Sequence, residues 1–96
     1  MSLEEYKSSI IQKIKDNNQN PQITDETKPS TTLSKFSAYR LTYNRQDEQC
    51  KFKVLEIGTV SNGKAYFITY SAEEKAYNKY LALAETMINS FVINNQ

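Results

Sequence analysis

The sequence predicts an α+β domain in which an antiparallel sheet meander of about four strands lies between an amino-terminal and a carboxy-terminal amphipathic helix. Three observations lead to this fold class. Apolar residues recur at helical spacing near each end of the chain, they alternate with polar residues in the middle, and Asn62-Gly63 separates two apolar runs. Because successive strands are joined by short connections, antiparallel pairing between neighbours is favoured.

The first helix is predicted over roughly residues 3–15. Its apolar stripe consists of Leu3, Tyr6, Ile10, Ile11 and Ile14. Ser2 and Glu5 have the spacing of a capping box, in which each side chain accepts a hydrogen bond from the other residue's backbone N–H. The helix is expected to end in the segment DNNQNP, because its residues are poor helix formers and Pro21 follows them.

Two strands are predicted after this helix. A short edge strand near residues 22–26 leads into a loop around Pro29, which cannot donate a hydrogen bond to a β-ladder. From residue 36 to residue 45 the side chains alternate, with Tyr39 and Leu41 on one face and polar residues on the other. This alternation is typical of a half-buried strand.

The next two strands form the clearest local signal of the chain. Residues 50–60 are apolar on both parities, which predicts either a β-bulge or a strand covered on both faces. Asn62-Gly63 favours a type I′ turn, since both central residues of that turn need positive φ. The returning segment 64–70, KAYFITY, is apolar or aromatic on both faces, and we therefore predict a central position in the sheet.

The last helix is predicted to begin at Ser71, with Glu74 completing a second capping box. Its packing face consists of Tyr77, Tyr80, Leu81, Ala84, Met87, Ile88 and Phe91. The two helices then need either one sheet face each or a shared face.

Length and composition exclude several classes of function. A chain of 96 residues is one small domain, 1–96, and its net charge of +1 gives no general attraction to nucleic acid. The chain has no histidine, which removes the usual base of a catalytic triad and the commonest transition-metal ligand. Cys50 is the sole cysteine and is expected to be a half-buried strand thiol rather than a reactive one. We therefore predict no enzyme activity, no cofactor and no metal site, and no run of apolar residues is long enough to cross a membrane.

Four basic residues are candidates for contact with a partner protein: Arg40, Lys51, Lys53 and Lys64. If the first three share one exposed face, they form a modest basic patch for an acidic partner. The alternative is an ordinary solvated sheet face. The acidic pairs, such as Glu4-Glu5, could bind a cation, but two of these pairs stand at helix starts, where negative charge is favourable in any case. The tyrosines could form a stacking platform, although packing in the core is the simpler interpretation.

The second half of the chain resembles the PsbP family, the extrinsic proteins of photosystem II and their relatives. The segments that carry the resemblance are 37–43, 55–60, 62–66, 69–72, 77–80 and 87–91. It is sharpest from about residue 37 onward, and the first helix has a family-like position. The resemblance implies an antiparallel sheet between helices. Family domains usually begin with further strands that include a Trp-containing segment, and this chain has no Trp, so it resembles a truncated or minimal version.

The resemblance also implies a function and a location. The expected role is a non-catalytic interaction module that docks onto a larger membrane-associated, photosystem-like assembly in an extracytoplasmic or thylakoid-lumen-like setting, although this chain shows no signal peptide. The alternative is a regulatory binding domain, since the same fold resembles a small nuclear factor that binds the Ran GTPase. The partner is expected to be a protein, and an uncovered sheet edge could support a homodimer.

Overall fold

The computed structural model describes residues 1–94, and within them it shows two helices and six strands. The elements are α1 (Leu3–Asn17), β1 (Ile23–Asp25), β2 (Thr32–Leu33), β3 (Phe36–Ser37), β4 (Tyr39–Gln46), β5 (Lys51–Ser61), β6 (Lys64–Glu73) and α2 (Glu74–Asn89). The predicted α+β class, with an antiparallel sheet and a helix at each end, is confirmed. Among these residues no helix is long and apolar enough to cross a bilayer.

The main sheet contains four antiparallel strands in the order β1-β4-β5-β6, and β2 and β3 form a separate two-stranded hairpin. The register of β5 has no break on either side. Gly58 pairs with Tyr39 in the ladder with β4, and Leu55 pairs with Tyr70 in the ladder with β6. Since β5 contains no bulge and its central residues are buried, the strand is covered on both faces. This settles the two alternatives that its apolar pattern left open.

Each helix covers a different face of this sheet. On one face α1 packs Ile10 and Ile14 against Tyr39 and Leu41 of β4. The residues of the second core, on the α2 side, are Leu33, Ala38, Leu55, Ile57, Tyr77 and Ile88. Strand residues of one parity therefore face α1 and those of the other parity face α2, as the pleat requires.

The two predicted capping boxes have different outcomes. At α1 the Glu5 N–H donates to Ser2 Oγ at 3.1 Å and the Ser2 N–H donates to Glu5 Oε1 at 3.0 Å, which confirms the first box. The predicted start of the last helix at Ser71 is wrong. Because Ser71 pairs with Val54 of β5, the β-ladder holds its backbone in strand conformation. The helix begins at Glu74, and the Glu73 N-cap makes no side-chain hydrogen bond.

The hairpin between β5 and β6 is confirmed, but the predicted place of β6 in the sheet is wrong. Asn62 and Gly63 have φ values of 53° and 74°, as a type I′ turn requires. Strand β6 lies at the edge of the sheet, not at its centre. Its apolar residues on the α2 side, such as Ile68 and Tyr70, pack in the core, whereas Phe67 on the other side is exposed. Apolar side chains on both faces therefore do not require a neighbouring strand on both sides.

Candidate interaction surfaces

Arg40 of β4 lies on the α2 side of the sheet and joins three parts of the chain. Its Nη1 and Nη2 donate to the two carboxylate oxygens of Glu85 in α2, at 2.9 and 3.1 Å. Its Nε donates to Glu26, which follows β1, at 3.1 Å. The hydrogen bonds that Arg40 donates to Glu85 and, to a smaller extent, to Glu26 raise its pKa against the opposing effect of burial. The side chain is 22% exposed, so this guanidinium is engaged within the chain.

The side chains of the other three basic candidates are less constrained than that of Arg40. Lys51 is exposed, and the Lys53 Nζ lies 4.6 Å from the ring centroid of Tyr77, a cation–π contact. The register places Lys51, Lys53, Lys64 and Arg40 on the same face of the sheet. Lys64, however, begins the ten-residue strand β6 beside the hairpin turn, roughly 30 Å along the ladder from Lys51. Only Lys51 and Lys53 are near each other, since Arg40 pairs with Ile57, four residues along β5 from Lys53, and the role of all four in binding stays a prediction.

Cys50 stands immediately before β5 and is partly buried. Its Sγ lies 3.6 Å from Glu73 Oε1. Desolvation and the Glu73 carboxylate raise the pKa of the Cys50 thiol, which lowers the fraction of reactive thiolate. The geometry thus favours the structural role that the sequence suggested for this residue.

A buried acid lies at the centre of the α1-side face. Glu56 of β5 accepts a 2.5 Å hydrogen bond from the Tyr39 hydroxyl. Burial, followed by that bond and by the charge of Glu56, raises the pKa of Tyr39 far above its ordinary value, so the phenol stays protonated and donates. The Tyr39 ring lies directly over Gly58. A Cβ added to Gly58 would be 2.5 Å from the Tyr39 hydroxyl oxygen, too close for any side chain to fit there. The absence of a side chain at Gly58 is therefore what lets Tyr39 reach Glu56.

An open cleft of about 420 Å³ leads to this acid from the surface. Its lining includes Tyr6 and Lys13 of α1, Tyr43 of β4, and Phe67 of β6. Within residues 1–94 no three His, Cys, Asp or Glu side chains are grouped so as to hold a metal ion. The contact that the structure shows for the Glu56 carboxylate is structural, since it anchors Tyr39 across the strand pair.

The outer part of the sheet, at β6, is open on its α1-side face and only partly covered by α2 on the other. On the α1 side Phe67 is 56% exposed, because α1 packs on β4 and not on β6. On the α2 side an apolar groove of about 580 Å³ runs between β6 and the second half of α2. The groove is lined by Ile68, Thr69, Tyr70, Ser71, Ala84, Met87, Ile88 and Phe91.

Sequence reasoning missed several of these residues. Glu56 is an acid inside an otherwise apolar run, and a single charge in a buried strand was a signal that could have identified it. The partners of Arg40 carried no such signal, since Glu85 is 45 residues away along the chain. The open edge at β6 followed from strand order, which the local pattern does not determine.

Comparison with known proteins identifies one family. The family model described as PsbP matches residues 2–93 of this 96-residue chain. No curated protein and no solved structure matches the chain. The match covers both helices and the whole sheet, so it includes the first helix as well as the hairpin that carried the resemblance. The chain therefore belongs to the PsbP family.

Proposed function

We propose that this chain is a non-catalytic interaction module of the PsbP type, which docks onto a larger membrane-associated assembly of the photosystem kind. Family membership supports the proposal. The observation that carries it is the open half of the α1-side face, where Phe67 is exposed beside the cleft that it shares with Tyr6 and Tyr43. Aromatic side chains in such positions are frequent anchors of protein interfaces.

The chemistry of this face supports binding rather than catalysis. The β6 residues that surround Phe67 on this face, Ala65, Thr69 and Ser71, are small, uncharged and exposed. Such a surface offers shape and apolar area, whereas catalysis needs an activated nucleophile or a positioned acid and base. The polar centre nearby, Glu56 with Tyr39, is engaged in an internal hydrogen bond.

The basic candidates add an electrostatic part to the proposal. Lys51 is exposed, and Lys53 projects its ammonium group over an aromatic ring at one end of the sheet. Both lysines lie on the α2 side of the sheet, opposite Phe67, so we expect them to act by long-range attraction and not within the contact surface. Such charges act mainly on the rate of association and lose their effect as salt is added. Lys51 and Lys53 are therefore expected to speed docking to an acidic partner. Lys64 lies beside the hairpin turn, away from these two lysines, and is left unchanged in the charge-reversal variant.

The test is co-sedimentation of the purified chain with photosystem II-enriched thylakoid membranes that have been stripped of extrinsic proteins. Liposomes of the same lipids, free of protein, serve as the reference. We expect the chain to sediment with the membranes and not with the liposomes. Phe67→Ser is expected to weaken this binding at least about tenfold, which corresponds to about 1.4 kcal/mol. The control is Val92→Ser, which alters another exposed apolar side chain away from this face.

Charge reversal tests the lysines independently. The double variant Lys51→Glu/Lys53→Glu is expected to lower binding at low salt and to have little effect at high salt. Arg40 is left unchanged, because its replacement would break the ion pairs with Glu26 and Glu85. Equal sedimentation with liposomes, or unchanged binding of Phe67→Ser, would contradict the proposed docking face. Specific recovery of a GTPase in a pull-down would favour the regulatory alternative instead.

A further inference from the structure

We infer that the outer edge of β6, together with the adjoining flank of α2, pairs with the same surface of a second copy of this chain about a two-fold axis. This inference goes beyond the proposed function, since it requires no other protein. It concerns the edge of the sheet, whereas the proposed docking uses the α1-side face. The two can therefore fail separately.

The outer edge of β6 has backbone N–H and C=O groups that can pair with another strand. The two-residue turn makes Ser61 and Lys64 a hydrogen-bonded pair, and such pairs alternate along an antiparallel ladder. Every second residue of β6 therefore directs its N–H and C=O groups away from β5. These residues are Ala65, Phe67, Thr69, Ser71 and Glu73. Among residues 1–94 no strand pairs with this outer side.

The edge also lacks the features that keep sheet edges apart. Monomeric proteins protect exposed edges with lysines, prolines, bulges or very short strands. Strand β6 is ten residues long, and its residues 65–72, AYFITYSA, contain no charge and no proline. The opposite edge of the same sheet is different, because β1 has three residues and ends at Asp25, which is paired with Lys7. An edge of this length and composition favours strand addition.

The exposed flank of α2 lies on the same side as this edge. Glu85 projects from one flank of α2 and bonds to Arg40 on β4. At 100° per residue, Leu83 and Met87 fall on the opposite flank, and Met87 lines the groove above β6. Leu83 is 61% exposed and Met87 is 65% exposed. This apolar stripe is adjacent to the open strand, so one partner can cover both.

The spacing of the elements selects a second copy as that partner. Helix α2 packs over both β5 and β6, through contacts with residues such as Leu55 and Tyr70. If β6 pairs with β6 of a second copy, the two α2 helices are separated by about two strand spacings, or about 10 Å. Packed helices are separated by about 8–10 Å. An extended peptide would fill the edge but would leave Leu83 in water, whereas a second copy brings a helix to cover it.

The pairing about this two-fold axis sets no like charges against each other. Pairing centred on Thr69 places Thr69 opposite Thr69 of the second copy and Phe67 opposite Ser71. Glu73 then falls opposite Ala65 on the α1 side, and Lys64 comes level with the start of α2 of the second copy. The charged residues at the two ends of β6 therefore do not oppose this pairing.

The first experiment measures the mass of the purified chain by sedimentation equilibrium over a range of concentrations. We expect a dimer whose Kd rises at least tenfold in Leu83→Lys/Met87→Lys, while circular dichroism shows the fold unchanged. Val92→Lys is the matched control, because Val92 is also apolar and 69% exposed but lies outside this flank. A monomer at about 0.1 mM, or a dimer that the double variant does not weaken, would overturn the inference.

The second experiment tests the register with single cysteines in a Cys50→Ser background. Opposed residues in a hydrogen-bonded antiparallel pair have Cα atoms about 5.5 Å apart, within the range of a disulfide. Thr69→Cys is therefore expected to form an intermolecular disulfide rapidly under mild oxidation. Ser71→Cys serves as the control, since its equivalent in the second copy would lie about four residues away along the strand, roughly 13 Å. Equal cross-linking of the two variants would contradict the two-fold pairing centred on Thr69.

Discussion

The two sides of the sheet use their side chains in different ways. At β4, residues on both faces are engaged internally, since Tyr39 donates to Glu56 on one face and Arg40 bonds to Glu85 on the other. At β6, Phe67 is exposed on the α1 side and the apolar groove is open on the α2 side. We call the β1–β4 side, with the β5 residues that contact it, the closed side, and we call the β6 side with the flank of α2 the open side.

This difference separates stability from binding. The closed side contains the buried polar contacts, and breaking one of them leaves a polar or charged group without its partner. The open side also has exposed apolar side chains, Phe67, Leu83 and Met87, whose removal exposes no core. Substitutions on the closed side are therefore expected to lower the free energy of unfolding, whereas those on the open side are expected to lower affinity for a partner and leave folding unchanged.

The largest effect is expected for Gly58→Ala on the closed side. The new Cβ would lie 2.5 Å from the Tyr39 hydroxyl oxygen and 2.7 Å from two ring carbons. Because Tyr39 is fully buried and bonded to Glu56, its ring cannot move aside without losing that bond. We expect a loss of about 3 kcal/mol in the free energy of unfolding, measured by urea denaturation.

Gly63→Ala is the comparison variant for this prediction. Gly63 has φ of 74°, and no atom lies within 4 Å of the position that its Cβ would take. Its cost comes from backbone strain alone, and we expect about 1 kcal/mol. A smaller loss for Gly58→Ala than for Gly63→Ala would contradict the contact argument.

A second large effect is expected at Arg40. Arg40→Ala leaves the Glu26 and Glu85 carboxylates without their shared partner, at a cost of about 2 kcal/mol. Arg40→Lys keeps the charge but loses the two-pronged contact, so it is expected to recover part of the stability. A double-mutant cycle with Glu85→Gln measures the coupling, and we expect about 1 kcal/mol. Purely additive effects would show that the Arg40–Glu85 pair does not stabilise the fold.

Much of the fold could be predicted from the sequence because its signals are local. The Asn62-Gly63 turn and the Ser2–Glu5 capping box each depend on residues close together in the chain, and the structure confirms both. The alternation correctly predicts strand β4 but not its burial, because Thr42 on the polar face is buried as well as Tyr39 and Leu41 on the other. The start of α2 could not be predicted in this way. Ser71 has the sequence of a cap, but its pairing with β5 is a contact with a distant segment, and the ladder prevails.

The candidate site was less predictable for the same reason. Alternation was enough to suggest that Arg40, Lys51 and Lys53 share a face, and the register agrees. It could not show that Arg40 bonds to Glu26 and Glu85, because these contacts cross 14 and 45 residues of chain. The apolar pattern of β6 predicts a central strand, paired on both sides. An exposed edge with apolar side chains gives the same pattern.

A smaller effect is expected from pH at the β1 edge of the closed side. Burial raises the pKa of Asp25, but the hydrogen bonds from Lys7 and Thr27 outweigh it, so the net shift is downward from the ordinary value of 3.8. A lowered pKa in the folded state means that this pair stabilises the fold above about pH 4, and that its contribution is lost as the pH falls through the folded-state value. Since Asp25 is partly exposed, we expect less than about 1 kcal/mol.

The measurement for this prediction is the free energy of unfolding at pH 7 and at pH 3. Asp25→Asn is expected to lower stability at pH 7 and to reduce the loss between the two pH values. Glu48→Gln is the control, because among residues 1–94 the Glu48 carboxylate makes no ion pair. An unchanged pH dependence in Asp25→Asn would show that the ion pair with Lys7 does not contribute.

The smallest effect on stability is expected on the open side, at Phe67. Because more than half of the Phe67 side chain is already in water, Phe67→Ser removes little buried area and is expected to change the free energy of unfolding by less than about 0.5 kcal/mol. The same substitution is expected to weaken docking at least about tenfold. The two variants are therefore expected to have opposite effects. Gly58→Ala on the closed side lowers the free energy of unfolding, whereas Phe67→Ser on the open side lowers the affinity of docking. A substantial loss of stability in Phe67→Ser would show that the α1-side face of β6 belongs to the core, and the separation of the two sides would then be wrong.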